Sequence, residues 1–242
     1  MTDVSYALLL TLIAGLAGAL GGGMVFLNKS PSGRFIALSL GLSTGVMIYI
    51  STVEIYKKGV LALSSAYGEK GFFLALTAFI TGGGVIWLLG ILFPEKADSG
   101  GIYALALALH NFPEGLATFT AALADPVLGL SVLAGLALHN IPEGCAIAFP
   151  LCAKGKSKME AFLWSLFASL TEPLGAFLGW LVLMPVMSDT VMGLIFSFVA
   201  GIMCYLSIHE LYPAAKEKSP AFASAGLILG MLVMGVGLIF AN

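Results

Sequence analysis

Charge is what this sequence has least of. Of its 242 residues, 10% are Asp, Glu, Lys or Arg, against about 25% in an ordinary soluble domain. So few charges cannot cover a water-facing surface, and 59% of the chain is hydrophobic with a mean hydropathy of +1.01. Lipid is the solvent such a composition fits. A basic patch is missing as well, so no nucleic-acid partner is expected. Cysteine is scarce and odd in number. Cys145, Cys152 and Cys204 lie in or beside apolar runs without framework spacing, which argues for reduced packing residues rather than disulfides. Cys145, two residues past Glu143, is an alternative soft metal ligand. No basic region precedes the first apolar stretch, whose only early charge is Asp3, so that stretch reads as a membrane span and not a cleaved signal. Long polar loops are missing too, leaving no room for a soluble domain.

What is present is a series of apolar runs of about 20 residues, the length that crosses a bilayer as a helix. They fall at 5–27, 35–57, 72–93, 101–123, 127–150, 161–184, 190–213 and 221–241. The expectation is an all-α integral membrane protein of eight spans in a single domain, 1–242. The connections after the odd-numbered spans hold Lys29, Arg34, Lys96, Lys154, Lys156, Lys158, Lys216 and Lys218, and the opposite side holds Lys57, Lys58 and Lys70. The excess of positive charge marks the cytoplasmic side and puts both termini on the other.

Two of these runs share a pattern. "GVMIYISTVEIY" (45–56) and "GIMCYLSIHELY" (201–212) match at Gly45/Gly201, Met47/Met203, Tyr49/Tyr205, Ser51/Ser207, Glu54/Glu210 and Tyr56/Tyr212. Tyr, Ser and Glu are uncommon in spans, so chance is a poor explanation. The copies are five spans apart, an odd number, and they therefore cross in opposite directions. This predicts an inverted repeat, spans 1–3 related to 6–8 with 4 and 5 between, a pattern common in alternating-access transporters.

The ionisable residues of the spans carry the chemistry. His110, His139 and His209 all lie in spans, as do Glu114, Glu143, Glu172 and Glu210, with Glu54 near a span end. Each charge in a span costs about 2.5–3.5 kcal/mol on insertion scales, a cost that packing alone does not require. "HNFPEG" (110–115) and "HNIPEG" (139–144) sit in the middles of consecutive antiparallel spans, so the two motifs meet at mid-depth. His at i and Glu at i+4 share one helix face. Pro113 and Pro142 leave the carbonyls of Leu109 and Leu138 without a helical partner, and "TEP" (171–173) sets Glu172 beside a proline in the next span. A lone buried His or Glu commonly makes only an interhelical hydrogen bond. Seven polar groups at one depth, namely His110, Asn111, Glu114, His139, Asn140, Glu143 and Glu172, point instead to a transition-metal site, leaning to Zn²⁺ or Fe²⁺.

These motifs, with "SLTEPLGA" (169–176) and "HELYPAA" (209–215), resemble the ZIP family of divalent-metal transporters, in particular its compact bacterial ZupT-type members. The resemblance implies a 3+2+3 bundle in which spans 1, 4, 5 and 6 move against 2, 3, 7 and 8. It implies a metal pocket at the same seven residues, with Glu114 and Glu143 bridging two ions and Met47 close by. Its activity would be zinc uptake into the cytoplasm, with iron, manganese, cobalt or cadmium as further cargo. The chain departs from the histidine-rich loop of many members, because "PEKADSGG" (94–101) has no histidine. That fits a prokaryotic inner membrane.

The expected partners are the bilayer, divalent metal ions and, as an open alternative, a second copy in a homodimer. No prosthetic group and no catalysis are expected. An exporter remains an alternative reading. An intramembrane metallo-hydrolase is a remoter one, since H-E-x-x-H is absent and the single "HE", at 209–210, has no second histidine four residues on. Glu54, His209 and Glu210 are expected to line the two mouths of the pathway.

Overall fold

The computed structural model describes residues 4–27, 32–92, 100–186 and 188–241, of which 89, 100–110, 113, 146, 150, 153, 183, 184 and 237–241 are described by backbone alone. The described residues are helical and contain no strand. The helices are α1 (Val4–Gly23), α2 (Gly33–Tyr49), α3 (Tyr56–Tyr67), α4 (Glu69–Leu92), α5 (Gly100–Ala124), α6 (Pro126–Ala153), α7 (Lys158–Leu183), α8 (Asp189–Leu206), α9 (Tyr212–Lys218) and α10 (Pro220–Ala241). Among the described residues six runs are long and apolar enough to cross a membrane: Val4–Leu27, Gly33–Tyr67, Glu69–Leu92, Pro126–Phe149, Lys158–Val182 and Asp189–Lys218.

The bundle is polar inside and apolar outside. Leu20, Phe73, Ile80, Ile91, Val182 and Leu232 are among the exposed side chains, while Thr11, Ser43, Thr118, Ser165 and Ser169 are buried. Several hydroxyls are satisfied within their own helices, as where Thr77 donates to the Phe73 carbonyl at 2.8 Å and Thr81 to Thr77 at 2.7 Å. Such back-bonding suits a medium that offers no water.

Two helices run past their apolar limits. The run over 35–57 continues without a break to Tyr67, and the run over 190–213 continues to Lys218. Lys57, Lys58, Lys216 and Glu217 end the apolar pattern but are good helix formers, so the helices go on. Each is joined through a π-helical turn, Ile50–Ile55 in one and Ser207–Leu211 in the other. The Tyr56 N–H reaches back to the Ser51 carbonyl, and the Tyr212 N–H to the Ser207 carbonyl. These are four residues of the matched segments, 156 apart. The correspondence extends upstream, since Ser32 caps α2 through Phe35 N–H and Ser188 caps α8 through Val191 N–H.

The turn between α5 and α6 is the single residue Asp125. Its carboxylate accepts from Val127 N–H at 2.7 Å and Leu128 N–H at 3.0 Å, and the Leu128 and Val127 amides hold the acid below the usual carboxylate range. So tight a corner makes α5 and α6 antiparallel neighbours.

Packing divides the helices into two sets. In one, α1 lies on α6 and α7, and α5 on α7 and α6; in the other, α2 lies on α10, and α4 and α3 on α8. The sets meet chiefly along α2–α6 and α5–α8. Close approach within each set depends on glycine. A Cβ on Gly144 would strike the Gly18 carbonyl, one on Gly115 the Glu172 carbonyl, and one on Gly201 the Phe79 carbonyl. Small residues at helix contacts are the usual means of tight packing in lipid, where apolar burial drives nothing.

Candidate metal centre

Helices α5, α6, α7 and α1 converge on a buried polar core. All three prolines sit in helices whose backbones remain α-helical through them: Pro113 in α5, Pro142 in α6 and Pro173 in α7. The motif glycines, Gly115 and Gly144, let α7 and α1 close over the core.

The centre of the core is His139. Its Nε2 lies 3.3 Å from Glu114 Oε1 across the α5–α6 contact and 3.3 Å from Glu143 Oε2, one turn along its own helix. Among the described residues Glu114, His139 and Glu143 form a group whose candidate ligand atoms all lie within 4.8 Å of one another. Glu114 and His139 are 0% exposed and Glu143 is 3% exposed. One imidazole and two carboxylates, all out of water, make a donor set for a divalent transition metal.

The two asparagines play matched parts. Asn111 Nδ2 donates to the Ala168 carbonyl of α7 at 3.1 Å, and Asn140 Nδ2 to the Ala14 carbonyl of α1 at 2.8 Å. Asn140 Nδ2 also donates to Glu172 Oε2 at 2.7 Å. The amide N–H groups are thereby engaged by neighbouring helices. Asn111 Oδ1, Asn140 Oδ1 and Glu172 Oε1 are buried acceptors with no hydrogen-bond donor among the described residues. Buried oxygens so placed favour a cation.

Of the residues expected from the sequence, Glu114, His139 and Glu143 are brought together directly, with Asn140 and Glu172 attached by a hydrogen bond. Asn111 is buried in the same core. The side chain of His110 lies outside the described residues. Met47 is fully buried and accepts from Ser207 Oγ at 3.5 Å. Cys145 turns to α1, donating to the Gly21 carbonyl at 3.3 Å beside Met24 Sδ at 3.4 Å, and takes no part in the cluster.

Glu54, His209 and Glu210 lie on the π turns, apart from the cluster. His209 is exposed and stacks on Tyr205 with centroids 4.9 Å apart. Glu54 sits 13 residues before the end of its helix at Tyr67, about 20 Å at 1.5 Å per residue.

Sequence reasoning passed over Ser43, whose Oγ donates to the His139 carbonyl at 3.3 Å. It also passed over the glycine seam of α1, although Gly15, Gly18, Gly21 and Gly22 at helical spacing in "GLAGALGGG" were a usable signal.

A ZIP zinc transporter family model matches residues 96–237, which takes in both repeated motifs, Glu172, His209 and Glu210. Curated relatives extend the likeness over the whole chain. A protein named zinc transporter ZupT from Chlorobaculum parvum is 41% identical, with 99% of each chain covered. Those of the same name from Streptococcus mutans and Oceanobacillus iheyensis are 40% and 39% identical, covering 96% and 99% of both chains. With a buried His–carboxylate cluster, a lipid-facing exterior and similarity over nearly its full length, the chain belongs to the ZIP zinc transporter family, a family of membrane transporters and not of enzymes.

Proposed function

We propose that this chain carries Zn²⁺ through a prokaryotic inner membrane into the cytoplasm by alternating access. The ion in transit is held by Glu114, His139 and Glu143, with His110, Asn111, Asn140 and Glu172 completing the pocket. The observation that carries the reading is the Glu114–His139–Glu143 cluster, sealed from solvent inside a bundle with an apolar exterior. Zinc is the cargo that the names of the relatives report. Iron, manganese, cobalt and cadmium suit the same imidazole and carboxylate donors. Three carboxylates in one pocket suit two neighbouring ions, with Glu114 and Glu143 bridging them.

The proposed architecture is eight spans in a 3+2+3 inverted repeat, with both termini on the non-cytoplasmic side. Two sets of correspondences support it. The N-caps and π turns of the second and seventh spans are 156 residues apart. The first and sixth spans correspond at 154, because Ala14 and Ala168 take the two asparagine amides. Gly18 and Glu172 meet the two motif glycines, and Gly21 and Gly175 meet the backbones of Ile141 and Phe112. The two packing sets are the bodies that shift against each other. Glu54 serves the outer mouth, His209 and Glu210 the inner, and Met47 lies next to the pocket.

The test is metal-by-metal uptake into vesicles containing the purified protein. Zinc should enter down its gradient, and a His110→Ala/Glu143→Ala double variant, equally well inserted, should admit none. Normal zinc entry through that variant defeats the site assignment.

A further inference from the structure

The two contacts between the packing sets are not equivalent, and the difference falls on one residue. On the α2–α6 side, Ser43 is 0% exposed and its hydroxyl donates to the His139 carbonyl at 3.3 Å. It is a polar link between α2 and α6, and the residue it reaches bears the imidazole at the centre of the cluster. The neighbouring hydroxyl, Thr44, is spent on its own helix, donating to the Leu40 carbonyl at 2.8 Å. On the α5–α8 side, the residue 156 positions along from Ser43 is Val199, 1% exposed and unable to donate. Beside it an apolar groove of about 570 Å³ opens outward, lined among others by Phe112 and Leu116 of α5 and Phe198, Val199 and Ile202 of α8.

We infer that Ser43 is a positioning residue for transport, latching the site-bearing helices α1, α5, α6 and α7 to the opposite set through the His139 backbone. The inference rests on the alternating-access reading above. In a perfect inverted repeat the two end states would be equal in energy, since each is the other turned over. A hydrogen bond that has no counterpart in the other half among the described residues breaks that equality. It favours the arrangement seen here, closed along α2–α6, and it must be released for the sets to shift. A neutral buried hydrogen bond contributes about 1 kcal/mol, so its loss changes the ratio of the two arrangements roughly five-fold. Because the latch grips the main chain of His139 and not its side chain, its removal leaves every proposed ligand in place.

The test compares Ser43→Thr with Ser43→Val, two side chains of the same shape of which only the first can donate. Both are made in a chain whose three cysteines are replaced and which carries Val132→Cys, a reporter 1% exposed in the packed core that α6 shares with α2. The Ser43→Val chain should react with a small thiol reagent about five-fold faster than the Ser43→Thr chain. Its apparent KM for zinc entry should shift, while the number of zinc ions bound per chain stays the same. Equal labelling and equal KM in vesicles that do transport zinc would overturn the latch alone, whereas absence of zinc transport by the parent chain would overturn the reading beneath it. If the larger side chains prevent insertion, Ser43→Ala against the parent gives the same comparison, with the same two outcomes. A change in zinc stoichiometry would also count against the latch, since Ser43 would then act on the ligands themselves.

Discussion

His139 faces a carboxylate from its own helix and another from α5, both at 3.3 Å, so its loss does two things at once. It deletes a proposed ligand, and it leaves two acidic groups together away from water. His139→Ala and Glu143→Ala should therefore reduce zinc affinity by more than the ~10–100-fold typical of a supporting residue, as read by zinc titration of the purified protein. Asn140→Ala, which frees Glu172 from its amide, should fall within that supporting range. Glu69→Ala, exposed at the start of α4, should leave affinity unchanged. Imidazole and carboxylate must shed protons to ligate a metal, so zinc affinity should fall as the medium is acidified. Equal affinity in mildly acid and neutral buffer would show that these groups do not bind it. The candidate ligands were legible in the sequence because ionisable residues in an apolar run stand out. Ser43 was not, since a serine in a span is unremarkable until a carbonyl on another helix is seen to receive it.

At the scale of the helix, the repeated motifs end in glycine for a steric reason, with Gly115 against the α7 backbone and Gly144 against that of α1. Gly115→Ala and Gly144→Ala should each destabilise the bundle by about 1–3 kcal/mol, the range for overpacking. Gly84→Ala, with nothing within 4 Å of the added carbon, should be neutral or slightly stabilising. Thermal unfolding of the three variants in detergent makes the comparison, and equal melting of all three would refute the seam. The helix ends were the least legible elements. Hydropathy marks where lipid stops, whereas a helix stops where its caps and propensities dictate, and Lys57, Lys58 and Lys216 satisfy the second requirement while violating the first.

For the molecule as a whole, the match between 45–56 and 201–212 was visible as sequence, whereas the residues of α1 and α7 on their own offer no comparable match. Ala14 and Ala168 are identical but commonplace in apolar helices, and Gly18 and Glu172, at the same offset of 154, are no match at all. The proposed pairing draws on their matched contacts with the two motifs. In the proposed repeat, α1 would supply a glycine where α7 supplies a carboxylate, so the proposed pocket would draw its third acid from one half alone. The inverted topology itself is open to test. In a cysteine-replaced chain, Ser51→Cys should react with an impermeant thiol reagent from outside the cell, and Ser207→Cys only from inside. Labelling of both from one face would rule out opposite orientations.

The π turns have a further implication, for the length of the chain itself. A hydrogen bond closing five residues back, as from Tyr56 to Ser51 and from Tyr212 to Ser207, accommodates one residue more than an α-turn does. Deleting a residue from an ordinary helix rotates everything beyond it by about 100° and turns its buried face outward. Deleting Thr52 or Ile208 would instead convert a π turn to an α-turn and leave α3 or α9 facing as before. Single-residue deletions should therefore be tolerated at these two places in the long helices and at few others, making them the sites where related chains can differ in length without refolding.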